Sequence, residues 1–410
     1  MQALYKYTYI IFIFFLLFYE MYFDHMLGVG NYTKIIKLLI IIILSYFSLK
    51  SFFLKLSKEV IRYYIFPIIL YLIGFISSHS LSIVSDLSLL NQLGSIIPWL
   101  SSLSIPYLLS KIDNREFILK TWSIYNNVIF ICISFSLIEY FLAASGRISL
   151  RPITIQGNNF FTALTNIFYV LESGEIHLRY YGAFIEPGTT AMMILPALVY
   201  TLVKRKYIFS ITYIIAIFNT GSLGGIVALA IITPLYVFYN FRNTLLRYTL
   251  IFTLILTSLV FSKNIFTFYV DRFESKGLST TVRILNITKP LENIDLLIKN
   301  YPLGIDKVDP SIRNKTKLWF GNNFSPLRAF YAGGLFSLLG FLIFLFTIYS
   351  SIFRQLLTNN INSNYSQVIV ISLIALFPFN LQRIPIEATT VFSFLFAPYI
   401  LIKLNKKNLI

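Results

Sequence analysis

The segment richest in reactive groups is Arg179-Tyr-Tyr-Gly182-Ala-Phe-Ile-Glu186-Pro187-Gly188. A guanidinium offers a planar fork of donors matched to phosphate, so Arg179 is suited to hold a diphosphate. A carboxylate such as Glu186 could accept a proton from a sugar hydroxyl if an apolar interface raises its pKa. It could equally be a helix-start acid favoured by the macrodipole. Pro187 and Gly188 would shape the turn into that helix. A second, more scattered group reads Thr281-Val-Arg283, Tyr301-Pro302-Leu-Gly304, Gly321-Asn322-Asn323, Gly333-Gly334 and Gly340. Turn chemistry and close helix packing account for much of it.

Further arginines flank both groups: Arg147 and Arg151 before the first, and Arg272, Arg313 and Arg328 around the second. An anionic substrate would explain them. Pairing with neighbouring acids (Asp271, Glu274, Glu292, Asp295, Asp306, Asp309) or with lipid headgroups is the alternative. No P-loop, G-x-S-x-G or H-E-x-x-H motif occurs. The three histidines, His25, His79 and His177, read as solvated loop residues. The single cysteine, Cys132, forms no internal disulfide or metal cluster, and the sequence implies no cofactor. Glu20 and Glu139 fall near the ends of apolar runs, where a carboxylate can reach water at reduced cost.

The elements that must carry these groups follow from composition. Of 410 residues, 57% are hydrophobic and 12% charged, with mean hydropathy +0.73. A soluble domain carries roughly 25% charged residues. Half that is too little to coat a water-facing surface, so the solvent for most of the chain is lipid. The net charge of +17 would suggest nucleic acid in a soluble protein. In a membrane protein it reflects basic cytoplasmic loops and anionic lipid, and no Arg-rich arm or helix points to nucleic acid.

The sequence predicts an all-α polytopic membrane protein, residues 1–410 forming a single integral domain. A span needs roughly 20 apolar residues, and about twelve stretches approach that. They lie near 7–23, 35–49, 60–77, 88–109, 122–143, 188–203, 207–219, 221–239, 248–261, 329–353, 367–379 and 389–404. The first reads as a retained helix, because no small-x-small cleavage site follows it. Lys and Arg then set the orientation. Lys50, Lys55, Lys58, Lys111, Lys204, Arg205, Lys206, Arg354 and Lys403 fall on the side of both termini, which makes that side cytoplasmic. Two long outside segments remain, 144–187 and 262–328, and connections of this length are often functional. The second contains Lys289-Pro290-Leu291 followed by Ile294, Leu297 and Ile298, the spacing of a short amphipathic helix.

At these segments the chain resembles the O-antigen polymerase and O-antigen ligase superfamily of bacterial envelope enzymes. Arg179, Gly182, Glu186 and Pro187 fit its Arg, Gly and acid-Pro pattern before a helix. Ser222 and Gly225 fit its Ser-x-x-Gly at the start of a later span. Arg283 matches the Arg opening its large outside loop. Pro302 and Gly304 stand one residue tighter than its Pro-x-x-Gly. Asn322 stands where the family has His, followed by Asn323, Leu327 and Gly333.

The resemblance implies a glycosyltransferase in the bacterial inner membrane, acting at its outer face on undecaprenyl-diphosphate-linked oligosaccharide repeat units. It implies a catalytic group of Arg179, Glu186 and Arg283. Arg147, Arg151, Gly182, Arg272, Arg313, Asn322, Asn323 and Arg328 would line the substrate. A chain-length regulator, a flippase and membrane lipid are the implied partners. Asn322 in place of His favours a polymerase over a ligase. A flippase or transporter would share the span number and basic charge, but it would need no long outside loops and usually shows two similar halves. A non-enzymatic scaffold would tolerate changes at Arg179 and Arg283.

Overall fold

The computed structural model describes residues 2–20, 30–81, 96–112, 115–155, 158–163, 166–170, 176–177, 180–182, 184, 186–240, 288, 291–292, 294–304, 324–357, 363–382 and 392–404. The protein is mostly helical. Helices α1 (Gln2–Glu20) and α2 (Gly30–Phe52) cover the first two expected stretches. Helix α3 (Phe66–Leu81) follows a capped turn at Lys58–Val60 and a π-helical turn at Ile61–Ile65. Next come α4 (Ile97–Lys111) and α5 (Arg115–Ala144). Beyond the long segment that follows α5, the chain forms α6 (Pro187–Val203), α7 (Tyr207–Thr220) and α8 (Leu223–Asn240). The short α9 (Ile294–Asn300) precedes α10 (Ser325–Leu357) and α11 (Asn364–Gln382). A second π-helical turn, Phe392–Phe396, leads into α12 (Ala397–Leu404). The stretch expected at 248–261 lies outside the described residues.

Among the described residues, four segments are long and apolar enough to cross a membrane: Lys58–Ser78, Phe117–Ala144, Ser325–Gln355 and Asn364–Leu381. Shorter apolar helices pack among them. The outward faces show what solvent they suit. Helix α5 turns Ile131, Phe135, Ile138 and Phe141 outward, and α7 turns out Ile208, Ile211, Ile215 and Phe218. Contiguous apolar stripes of this kind would aggregate in water, whereas lipid solvates them. Helix α6 is the opposite case. Nearly all its side chains are buried, and it packs on α5, α7, α8 and α11. A helix apolar all round belongs at the centre of its bundle. The candidate segment therefore leads directly into the central helix.

Helix α10 lies along α3 at backbone distance. A Cβ on Gly340 would meet the Pro67 carbonyl oxygen at 2.4 Å, and one on Gly74 would meet that of Gly333 at 2.4 Å. Ser337 Oγ donates to the Tyr71 carbonyl across the same seam at 2.8 Å. Small residues let two helices approach this closely where water supplies no driving force.

Among the described residues, the segment between α5 and α6 departs from an all-helical chain, forming a four-stranded antiparallel meander. Its strands are β1 (Arg151–Ile155), β2 (Asn158–Thr162), β3 (Ile167–Val170) and β4 (Ile176–His177). Ile153 pairs with Phe160, Phe161 with Phe168, and Tyr169 with His177. Runs such as Ile-Thr-Ile and Ile-Phe-Tyr-Val favour a pleated surface.

Candidate functional site at the head of the central helix

Helix α5 has 30 residues and, at 1.5 Å per residue, is about 45 Å long, more than the hydrocarbon thickness of roughly 30 Å. It ends in a Schellman turn. Gly146 adopts φ +69°, its N–H donates to the Ala143 carbonyl at 3.0 Å, and the Arg147 N–H donates to Leu142 at 2.9 Å. The turn delivers Arg147, exposed, toward β1, whose first residue Arg151 is also exposed.

The last two turns of α5 present Ser136, Glu139 and Tyr140, spaced i, i+3, i+4 and so on one face. Each meets the segment between α5 and α6. The Ser136 hydroxyl hydrogen bonds the Tyr180 hydroxyl. Asn166, fully buried after β2, donates from Nδ2 to the Ser136 carbonyl at 2.5 Å and to Glu139 Oε2 at 3.0 Å. Both partners are acceptors, which fixes the orientation of the amide. Its Oδ1 is buried without a hydrogen-bond partner among the described residues. The Tyr140 ring meets Tyr180 edge-on, with centroids 5.5 Å apart.

Tyr180, the first described residue of the candidate segment, is fully buried. Its N–H donates to the Asn219 carbonyl at 3.4 Å, tying the segment to the end of α7. Burial pushes its phenol well above the usual range, the Ser136 hydrogen bond opposes that, and Cys132 and Glu139 add to the rise. Gly182 turns the chain at φ +59°, where a Cβ would stand 3.2 Å from Thr190 Cγ2 and 3.3 Å from the Tyr180 hydroxyl. Pro187 confines Glu186 to extended backbone, φ −127° and ψ 136°, which makes Glu186 the N-cap of α6. Its carbonyl accepts from the Thr190 N–H at 3.1 Å, while its exposed side chain makes no capping hydrogen bond. The Thr190 hydroxyl closes the turn by donating to the Tyr181 carbonyl.

The Ser222-x-x-Gly225 motif sits against this turn. Ser222 Oγ accepts from the Gly225 N–H at 3.4 Å. A Cβ on Gly225 would stand 2.9 Å from that of Ala191, on the second turn of α6. Two motifs about forty residues apart are thus assembled at one helix end.

The second group is built on α3 and α10. Helix α9 buries Leu297 against Leu327, Phe330 and Tyr331 at the start of α10, leaving Ile294 and Ile298 on its outer side. Residues Tyr301–Gly304 then dock into a break in α10 at Gly333 and Gly334. There the Leu335 N–H donates to the Pro302 carbonyl at 2.9 Å instead of to its own helix. The sequence-expected Pro302, Gly304, Gly333 and Gly334 therefore form one joint. Arg328 lies exposed in the first turn of α10. Arg179, Arg272, Arg283, Arg313, Asn322 and Asn323 lie outside the described residues. Among the described residues no three His, Cys, Asp or Glu side chains converge as a metal site would require.

No family model matches this chain, and no curated protein matches it significantly.

Proposed function

We propose that this protein is an enzyme of about twelve spans, both termini cytoplasmic. Its reaction would be the polymerisation of undecaprenyl-diphosphate-linked oligosaccharide repeat units into O-antigen or capsular polysaccharide, at the outer face of the bacterial inner membrane. One observation carries the reading. The Tyr180–Pro187 segment and the Ser222–Gly225 turn meet at the head of the most buried helix, beside the first long outside segment. A site on rigid elements with its ends open to a loop suits chemistry on a lipid-borne substrate.

In the reaction, the acceptor hydroxyl oxygen attacks the anomeric carbon of the donor sugar. The bond from that carbon to the phosphate oxygen breaks, and lipid diphosphate leaves with the electron pair. Arg179 and Arg283 would stabilise the charge growing on it, and Arg147 and Arg151 would draw in the anionic substrate. Glu186, exposed at the head of α6, would take the hydroxyl proton. Asn322 in the position of a His favours a polymerase over a ligase.

The test is reconstitution in nanodiscs with lipid-linked repeat units and no other protein. A polymer ladder is expected from the wild type, and none from Arg179→Ala or Arg283→Ala in folded protein. A folded wild type that gives no ladder from matched substrate would remove the polymerase in favour of a flippase or scaffold.

A further inference from the structure

The cluster on the outer end of α5 was not singled out by any motif, yet it is the most fully built polar arrangement near the candidate segment. A carboxylate that close to a span is costly unless a function or a partner retains it. Glu139 is half-buried, and Asn166 holds its Oε2 at 3.0 Å. Asn166 is itself fully buried, and it is anchored by a second bond from the same amide to the Ser136 carbonyl. Its own backbone is held too, the Asn166 carbonyl accepting from Thr162 Oγ1 at 2.9 Å and from the Ala163 N–H at 3.1 Å. An aromatic ring, Tyr140, stands half-buried on the same helix face, braced edge-on by Tyr180.

We propose that Glu139 and Tyr140 form a sugar-binding subsite for the acceptor repeat unit, with Asn166 as the residue that positions the carboxylate. The chemistry matches a sugar on two counts. Hydroxyls need strong acceptors, and a carboxylate held in place loses little entropy in meeting them. The C–H face of a sugar ring packs on an aromatic face. Tyr180 joins the subsite to the Gly182–Glu186 turn, touching Ser136 and Tyr140 on α5 and standing two residues before Gly182. The assignment rests on the polymerase reading for its substrate, but not for its binding chemistry.

The experiment therefore has two arms. In the first, oligosaccharide released from the producing cell's own surface polysaccharide, free of lipid, is titrated onto the protein in nanodiscs. Glu139→Gln is expected to weaken binding about tenfold, as for loss of a hydrogen bond to a charged group. Asn166→Ala should weaken it by less, and Glu139→Asp should restore part of it. Phe135→Leu, on the lipid side of the same helix, should bind as the wild type does. In the second arm, with lipid-linked donor fixed and acceptor varied, Glu139→Gln should raise KM for acceptor about tenfold while kcat stays within about threefold. Equal binding by Glu139→Gln and wild type, including none by either, overturns the subsite. So does a loss accompanied by a lower melting temperature and not restored by Glu139→Asp, because that is a structural role. Wild-type binding through Glu139 without any ladder would remove the polymerase and leave the sugar subsite standing.

Discussion

Replacing Gly334 by Ala tests the joint between α10 and the Tyr301–Gly304 loop. Gly334 holds φ +64° and ψ −151°, a region essentially closed to residues with a side chain. Occupying it costs an L residue about 1–3 kcal/mol. The added Cβ would also stand 1.9 Å from the Pro302 carbonyl oxygen, and no flexible side chain is there to give way. The loop must therefore withdraw, losing the hydrogen bond from Leu335 to Pro302, worth about 1 kcal/mol. The sum is about 3 kcal/mol, a sizeable part of the roughly 5–15 kcal/mol that stabilises a typical domain. Gly340→Ala is the natural comparison. Its Cβ would meet Pro67 at 2.4 Å, but Ala gains about 1 kcal/mol of helix propensity over Gly, which offsets part of the overpacking. Reversible unfolding in mixed micelles, read by tryptophan fluorescence, should show the larger loss for Gly334→Ala. A loss below about 1 kcal/mol for Gly334→Ala, or one smaller than that of Gly340→Ala, would refute the joint.

Other consequences can be checked in the same preparations. Tyr180→Phe removes the hydrogen bond to Ser136 and should cost about 1 kcal/mol at neutral pH. The folded phenol is held above its usual range, so its contribution is fully present below the unfolded value of about 10 and lost as pH rises beyond it. Thermal melts should show wild type losing stability above that pH and Tyr180→Phe losing less. Arg205 sits at φ +57° in the αL position that ends α6, so Arg205→Gly should stabilise the protein by about 1 kcal/mol in chemical unfolding. Gly182→Ala, placed at φ +59° against Thr190, should cut polymer yield about tenfold or more by displacing the Glu186 turn, with the α10 joint intact by limited proteolysis.

Much of the helical framework was legible because, in a chain this poor in charge, an apolar run of span length rarely forms anything but a membrane helix. The ends were legible where a local rule acts, as at Glu186 before Pro187. The meander was not, because its strands are short and lie inside a segment bounded only by its neighbouring helices. The apolar alternation of Ile153 and Ile155 and the run Ile167–Val170 were the available signal. The site divides in the same way. Tyr180, Gly182 and Glu186 were visible as a dense motif, and the structure adds the Ser222–Gly225 turn beside them. Asn166 was invisible, since an Asn in an outside segment is ordinary turn chemistry until burial and two hydrogen bonds give it a partner. Glu139 was visible as a costly acid, but only the fold shows what holds it.

The packing also bears on the choice between enzyme and transporter. Alternating access needs one set of helices to rock against another about a central site. Two of the described seams leave little room for that. The α3–α10 contact is backbone on backbone at Gly74, Gly333 and Gly340, locked by Ser337, and the α6–α8 contact is closed by Gly225 on Ala191. Interfaces packed this closely switch between discrete arrangements or stay put, and sliding by even 1 Å would drive carbonyls into one another. A polymerase needs only local opening around the acceptor, whereas a flippase must move a seam. Spin labels at the C-terminal end of α3 and the N-terminal end of α10 should therefore report one narrow distance, unchanged by lipid-linked substrate. A second distance that substrate populates would show that the seam moves, and would turn the argument from a polymerase to a transporter.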